Sequence, residues 1–122
     1  CQLLSIMKEN IIKDKSFYFA VRIVNLYKYL SDQKREFVLS KQLLRSGTAI
    51  GALVREAEQA ESKADFIHKL AISLKEANES DYWIELLYKT DYLTEKEYKS
   101  INNDNRELIR LLTSIIKTSR NN

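Results

Sequence analysis

The sequence predicts an all-α protein, an antiparallel up-down-up-down four-helix bundle. Three observations carry that expectation. The 122 residues contain no proline and only two glycines, so almost nothing in the chain interrupts a helix. Apolar residues recur at spacings of three and four through four segments of about 15 to 27 residues. The links between those segments are short and polar, which places successive helices antiparallel and side by side.

Composition agrees with one compact domain: 30% of residues are charged and 44% apolar, and a chain of this length can bury a core of its own. The bundle is expected over residues 15–120. Residues 1–14 read as a mixed lead-in. Its first six residues carry little weight, because the only methionine is Met7 and the chain opens on Cys1. No apolar run exceeds five residues, so no segment is expected to span a bilayer. Residues 1–12 lack the sustained apolar region and small-residue cleavage site of a secretory signal. One cysteine cannot build a disulfide framework or a zinc cluster, and the cytoplasm is the expected compartment. The net charge of +3 permits nucleic-acid binding without requiring it.

Helix 1 is expected over residues 16–30, with Ser16 as its cap and Phe19, Ile23, Leu26 and Leu30 on one stripe. Helix 2 is expected over residues 36–60, burying Leu39, Leu43, Ser46, Ile50, Leu53 and Ala57. Gly47 and Gly51 lie on its flank, four residues apart. Glycine inside a helix costs about 1 kcal/mol against alanine, so the pair points to a close helix–helix contact. Ser62 followed by Asp65 has the pattern of a capping box and starts helix 3, expected over residues 63–89. The inner stripe of helix 3 runs Phe66, Leu70, Ser73, Ala77, Ser80, Ile84, Leu87. Its small middle residues are expected to face the glycines. Thr94 and Glu97 form a second box, starting helix 4 over residues 95–119, with Tyr98, Ile101, Leu108, Leu112 and Ile115 inward and Asn121 and Asn122 as a frayed end.

Catalytic constellations are missing. Asp65 and His68 have the i, i+3 spacing of a helical metal pair, but a carboxylate-bridged dimetal bundle needs two such helices and this chain has one histidine. Asp65 as a cap and His68 as a surface or interface side chain is the simpler reading. Cys1 has no basic neighbour that would make it a nucleophile. Ser46-Gly47-Thr48 has neither the preceding strand nor the Gly-Lys-Thr of a phosphate loop. The many glutamates read as a solvated face. No enzyme activity, metal or cofactor is expected.

Charge placement is more informative. Lys99, Asn103, Arg106, Arg110, Thr113, Lys117 and Arg120 fall within about 100° of helix 4, with no acid among them. Such a face can track phosphates, although a solvated bundle face has the same composition. Lys99, Arg106, Arg110 and Lys117 are the first candidate nucleic-acid contacts; Lys41, Arg45 and Arg55 on helix 2 are the second set. Ile67, Ala71, Ile72, Leu74, Leu86 and Leu111 lie off the inner stripes. That surplus is wider than one bundle core needs and suggests burial between subunits.

Several segments resemble one known family. They are Lys15-Ser16-Phe17, the run from Leu39 to Ala52 (LSKQLLRSGTAIGA), Glu56-Ala57, the run from Ser62 to Leu70 (SKADFIHKL), Leu74-Lys75-Glu76-Ala77 and Tyr82-Trp83. Together, over residues 15–117, they are similar to the bacterial four-helix bundle proteins that include those encoded in 23S ribosomal RNA intervening sequences. The resemblance implies a left-handed bundle that assembles as a homopentamer around a central channel, non-enzymatic, with RNA or DNA as a candidate ligand. A related branch, the accessory protein of diversity-generating retroelements, binds nucleic acid and a reverse transcriptase, so a partner protein is the alternative role. This chain departs from the family pattern at Ala49, often Ser, and near Leu53, where Asn is common.

Overall fold

A computed structural model describes residues 2–122. Four helices follow one another: α1 (Gln2–Asp32), α2 (Leu39–Glu58), α3 (Lys63–Lys89) and α4 (Glu95–Asn121). Each packs against its sequence neighbours, and α1 closes the bundle against α4. The diagonal pairs, α1 with α3 and α2 with α4, make no close backbone approach. The core is one cluster, from Ile12, Phe19, Ile23 and Leu30 of α1 to Leu108, Leu112, Ile115 and Ile116 of α4. No helix among the described residues is long and apolar enough to cross a membrane.

The two caps read from sequence form. Ser62 Oγ accepts from the Asp65 amide at 3.0 Å, while Asp65 turns its carboxylate to the Glu61 amide instead of completing the box. Thr94 and Glu97 make the full reciprocal box, at 3.1 and 2.8 Å. These bonds satisfy amides that the first helical turn leaves without partners, and α3 and α4 begin where the sequence placed them. The α4 helix continues through Asn121, two residues past its expected end at residue 119.

Helix 1 begins far earlier than residue 16. The expected lead-in is part of α1, and Ile12 is core. Ser16 is no cap: it sits mid-helix, 1% exposed, and its hydroxyl donates back to the Lys13 carbonyl at 3.2 Å. Cys1, set aside above as a nucleophile, lies outside the described residues.

Helix 2 begins three residues later than expected, because its cap is a side chain reaching forward. The Glu36 carboxylate accepts from the amides of Val38 (3.1 Å), Leu39 (3.1 Å) and Ser40 (2.7 Å). Burial pushes its pKa up, but these hydrogen bonds to the charged form outweigh it and hold the group below its ordinary range. A lowered folded-state pKa means the stabilisation is complete above the unfolded value and disappears as pH falls through the folded one. Glu36→Gln is expected to lower stability at neutral pH by about 1 kcal/mol. In denaturant melts against pH, its deficit should shrink once the buffer drops below about pH 4, the ordinary carboxylate range.

The glycine-bearing side of α2 packs on α1, not on the small residues of α3. A Cβ on Gly47 would lie 2.9 Å from Ile23 Cγ1, and one on Gly51 would lie 3.2 Å from the Ser16 carbonyl oxygen. The small residues of α3 serve a different contact. Ser80 Oγ donates to Ser46 Oγ, and Ser73 Oγ to the Ile50 carbonyl of α2, each at 2.9 Å. Asn105 of α4, fully buried, donates to the Ala77 carbonyl at 2.9 Å. Buried polar groups must be paired, so these bonds disfavour sliding α2 and α4 along α3.

The expected surplus of apolar surface on α3 and α4 is largely absorbed within the chain: Ile67, Ala71, Leu74 and Leu111 pack against the core. Apart from Tyr82 of α3, the exposed large apolar side chains are elsewhere. Leu3, Met7, Ile11, Tyr18, Val21 and Tyr29 of α1 are all exposed. At 100° per residue they share about 80° of arc on the side away from the core.

Candidate nucleic-acid interface

Position on α4 follows from its core stripe. With Ile101, Leu108, Leu112 and Ile115 buried, Lys99, Arg106, Arg110 and Lys117 point outward, and all four are exposed. Lys41, Arg45 and Arg55 are exposed on α2. Because α2 and α4 lie diagonally across the bundle, the two sets face different sides and make two separate surfaces.

Ion pairing sorts them further. Lys99 Nζ is 2.9 Å from Glu95 one turn earlier; the hydrogen bond and the charge together hold the lysine pKa above, and the glutamate pKa below, their ordinary values. Arg106 reaches Asp81 of α3 at 3.6 Å. Between them lies Asn102, whose amide, oriented by its neighbours, donates to Asp81 at 2.7 Å and accepts from Arg106 Nε at 3.2 Å. Arg45 is held by two carboxylates of α3, Glu76 at 3.1 Å and Glu79. The Arg55 guanidinium lies 5.0 Å from the centre of the Phe17 ring on α1. The basic arc of α4 is therefore not free of acid: Glu95 of α4 itself neutralises Lys99, and Asp81 of α3 neutralises Arg106.

Arg110 and Lys117 differ. Among the described residues no carboxylate lies within ion-pair distance of either, nor of Lys41 or Arg120. Lys117 and Arg120 border a shallow groove of about 240 Å³ with Leu74, Thr113, Ile116 and Asn121. Of the cations in the α4 arc, those without a carboxylate partner gather on the C-terminal half of the helix, a narrower surface than the full arc. His68 is exposed on α3, and among the described residues no three metal-ligating side chains come together.

Two features escaped the sequence reading. The Asp81–Asn102–Arg106 cluster joins residues of different helices, and only the buried asparagine on an otherwise apolar stripe hints at it. The outer stripe of α1 was masked by the core stripe of the same helix, because apolar residues on two sides blur its amphipathic signal.

Fold and surface together define an antiparallel four-helix bundle with a basic strip on its last helix and an apolar strip on its first. The family model of the 23S rRNA-intervening sequence proteins matches residues 8–114, and the chain belongs to that family. A crystal structure of a protein of unknown function from the S23 ribosomal protein family of Bacteroides thetaiotaomicron VPI-5482 is 65% identical. That match covers 90% of this chain and 98% of the other, with a TM-score of 0.90. No curated protein matches the chain.

Proposed function

We propose that this chain is a non-catalytic homo-oligomer that binds RNA or DNA through basic residues of α4. The carrying observation is the exposed set Arg110, Lys117 and Arg120, free of carboxylates among the described residues. A cation without an internal partner can neutralise phosphate and release counterions, whereas a paired one must first lose its acid. Lys41 offers a second contact on α2; Lys99, Arg106, Arg45 and Arg55 become secondary. Assembly is supported by the exposed outer stripe of α1. Repeating the basic strip around an oligomer multiplies weak contacts on one nucleic acid. The pentamer implied by the family resemblance is one such assembly.

A structured RNA titrated at two salt concentrations tests this. The wild type should bind at low salt and weaken steeply as salt rises. Replacing Arg110 and Lys117 with alanine should cost about tenfold or more in affinity and flatten the salt slope by about one unit per lost phosphate contact. Arg45→Ala should change little. Absence of binding at low salt, or an unaffected double variant, rejects the reading.

A scaffold that docks a partner protein is the second reading, favoured by the same α1 stripe, which suits an apolar protein surface as well as a second copy. It predicts no affinity for RNA or DNA in that titration.

A further inference from the structure

The corner between α1 and α2 exposes two neighbouring apolar side chains, Phe37 and Val38. It is firmly braced. Arg35 takes a left-handed backbone conformation, φ 57°, unfavourable for a residue with a Cβ. The Glu36 amide donates to the Leu30 carbonyl at 2.9 Å, and its buried carboxylate accepts from the amides of Val38, Leu39 and Ser40. The Arg35 guanidinium lies 5.3 Å from the Phe37 ring centre. Phe37 and Val38 are thus a preorganised knob, with little ordering cost left to meet on binding.

An open cleft lies at the same end of the bundle. Between the C-terminal half of α1 and the start of α4 is a cavity of about 690 Å³, with Leu26, Tyr29, Leu93 and Ile101 as its apolar lining. Arg22 borders it but is already neutralised by Asp104 of α4 at 2.5 Å. An apolar group entering there does not strand that charge.

We infer that this α1–α4 cavity receives Phe37 and Val38 from a second copy of the chain. The inference rests on the homo-oligomeric reading above and specifies its contact. Charge favours that occupant. The knob brings exposed Lys34 and Arg35 with it against Asp32, while the rim from the α3–α4 corner into α4 presents Asp91 and Glu97 against Lys96, Glu95 being already paired with Lys99. Symmetry favours it too. Knob and cavity are different surfaces, so the contact is head-to-tail, and such contacts close into a ring only if they do not climb along the axis. Here both halves sit at one end of the bundle, where α1 finishes and α2 and α4 begin. The corner joins α1 to α2 and the cavity joins α1 to α4. Those adjacent bundle faces meet at roughly a right angle, a turn that closes after a few copies.

The test uses full-length chains with Cys1→Ser as background. A chain carrying Phe37→Cys is co-expressed with one carrying Ser100→Cys at the cavity rim, and oxidised. A band of dimer mass on a non-reducing gel is expected, and none when Glu85→Cys on α3 replaces Ser100→Cys. In light scattering, Phe37→Asp should reduce the oligomer to the 14.3 kDa monomer with an unchanged helical circular dichroism signal. If the wild type is oligomeric but neither result appears, the knob contact is overturned and the homo-oligomer stands. A monomeric wild type overturns both.

Discussion

Replacing Gly51 with leucine should destabilise the fold by about 1–3 kcal/mol, the usual range for forcing extra atoms into a packed contact. The estimate follows from what surrounds the position. A Cβ there meets the backbone carbonyl of Ser16 at 3.2 Å, and backbone on a long helix cannot turn aside as a side chain can. Leucine also adds three carbons beyond that Cβ, so α1 and α2 must separate, loosening Phe19, Ile23, Leu43 and Ile50 of the same cluster. Gly47→Ala is a subtler case. Its Cβ would lie 2.9 and 3.0 Å from Cγ1 and Cγ2 of Ile23, branch atoms that cannot both swing away. Clash and improved helix propensity oppose each other, and the clash should win. Ile23→Ala removes the clashing atoms. The double variant Gly47→Ala with Ile23→Ala should therefore lose less stability than the two single losses added, which urea melts of all four proteins would show. Strict additivity would mean that Ile23 does not oppose the new methyl group.

What could be read from the sequence depended on whether a residue's partner was local. The start of α4 was legible because Thr94 and Glu97 satisfy each other within one turn, and Ser62 similarly marked α3. Ser16 is a cap-type residue without the i+3 acid of a box, and it does not act as a cap. Its hydroxyl bonds back to Lys13 and its backbone lies against Gly51 in a contact that only the fold creates, so a start at Ser16 is fourteen residues late. The cap of α2 was missed for the converse reason, since Glu36 is not among the usual cap residues and works by reaching forward. The candidate interface shows the same division. Exposure of the basic arc on α4 followed from periodicity, but the neutralisation of Arg106 by Asp81 and of Arg45 by Glu76 and Glu79 crosses between helices. The glycine pair signalled a close approach, and the partner turned out to be α1. Spacing shows that a helix has a smooth side without saying which neighbour takes it.

Asn105→Asp should be the more damaging substitution at neutral pH, by about 3 kcal/mol or more, because it places a charge where the protein offers no counterion. Asn105 is fully buried on α4. Its amide nitrogen donates to the Ala77 carbonyl at 2.9 Å, while its side-chain oxygen has no hydrogen-bond partner. An aspartate loses the donor and presents a carboxylate to that same carbonyl oxygen. Burial and the facing carbonyl both favour the protonated acid, so the folded-state pKa must rise above the unfolded value of about 3.9. With a raised pKa the linkage runs opposite to that of Glu36. Stability is greatest below the unfolded pKa, where the acid is neutral in both states, and falls as pH climbs to the folded value. The variant should therefore be closer to wild type near pH 4 than at pH 7 in urea melts, with helical circular dichroism as the probe. Asn105→Leu separates charge from shape. It is nearly isosteric, removes the orphaned oxygen together with the interhelical donor, and should be close to neutral in stability at both pH values. A pH-independent loss in Asn105→Asp would show that the site admits water and is less sealed than its burial indicates. Loss of stability in Asn105→Leu comparable to that in Asn105→Asp at pH 7 would instead give the single bond to Ala77 a larger share in holding α4 against α3.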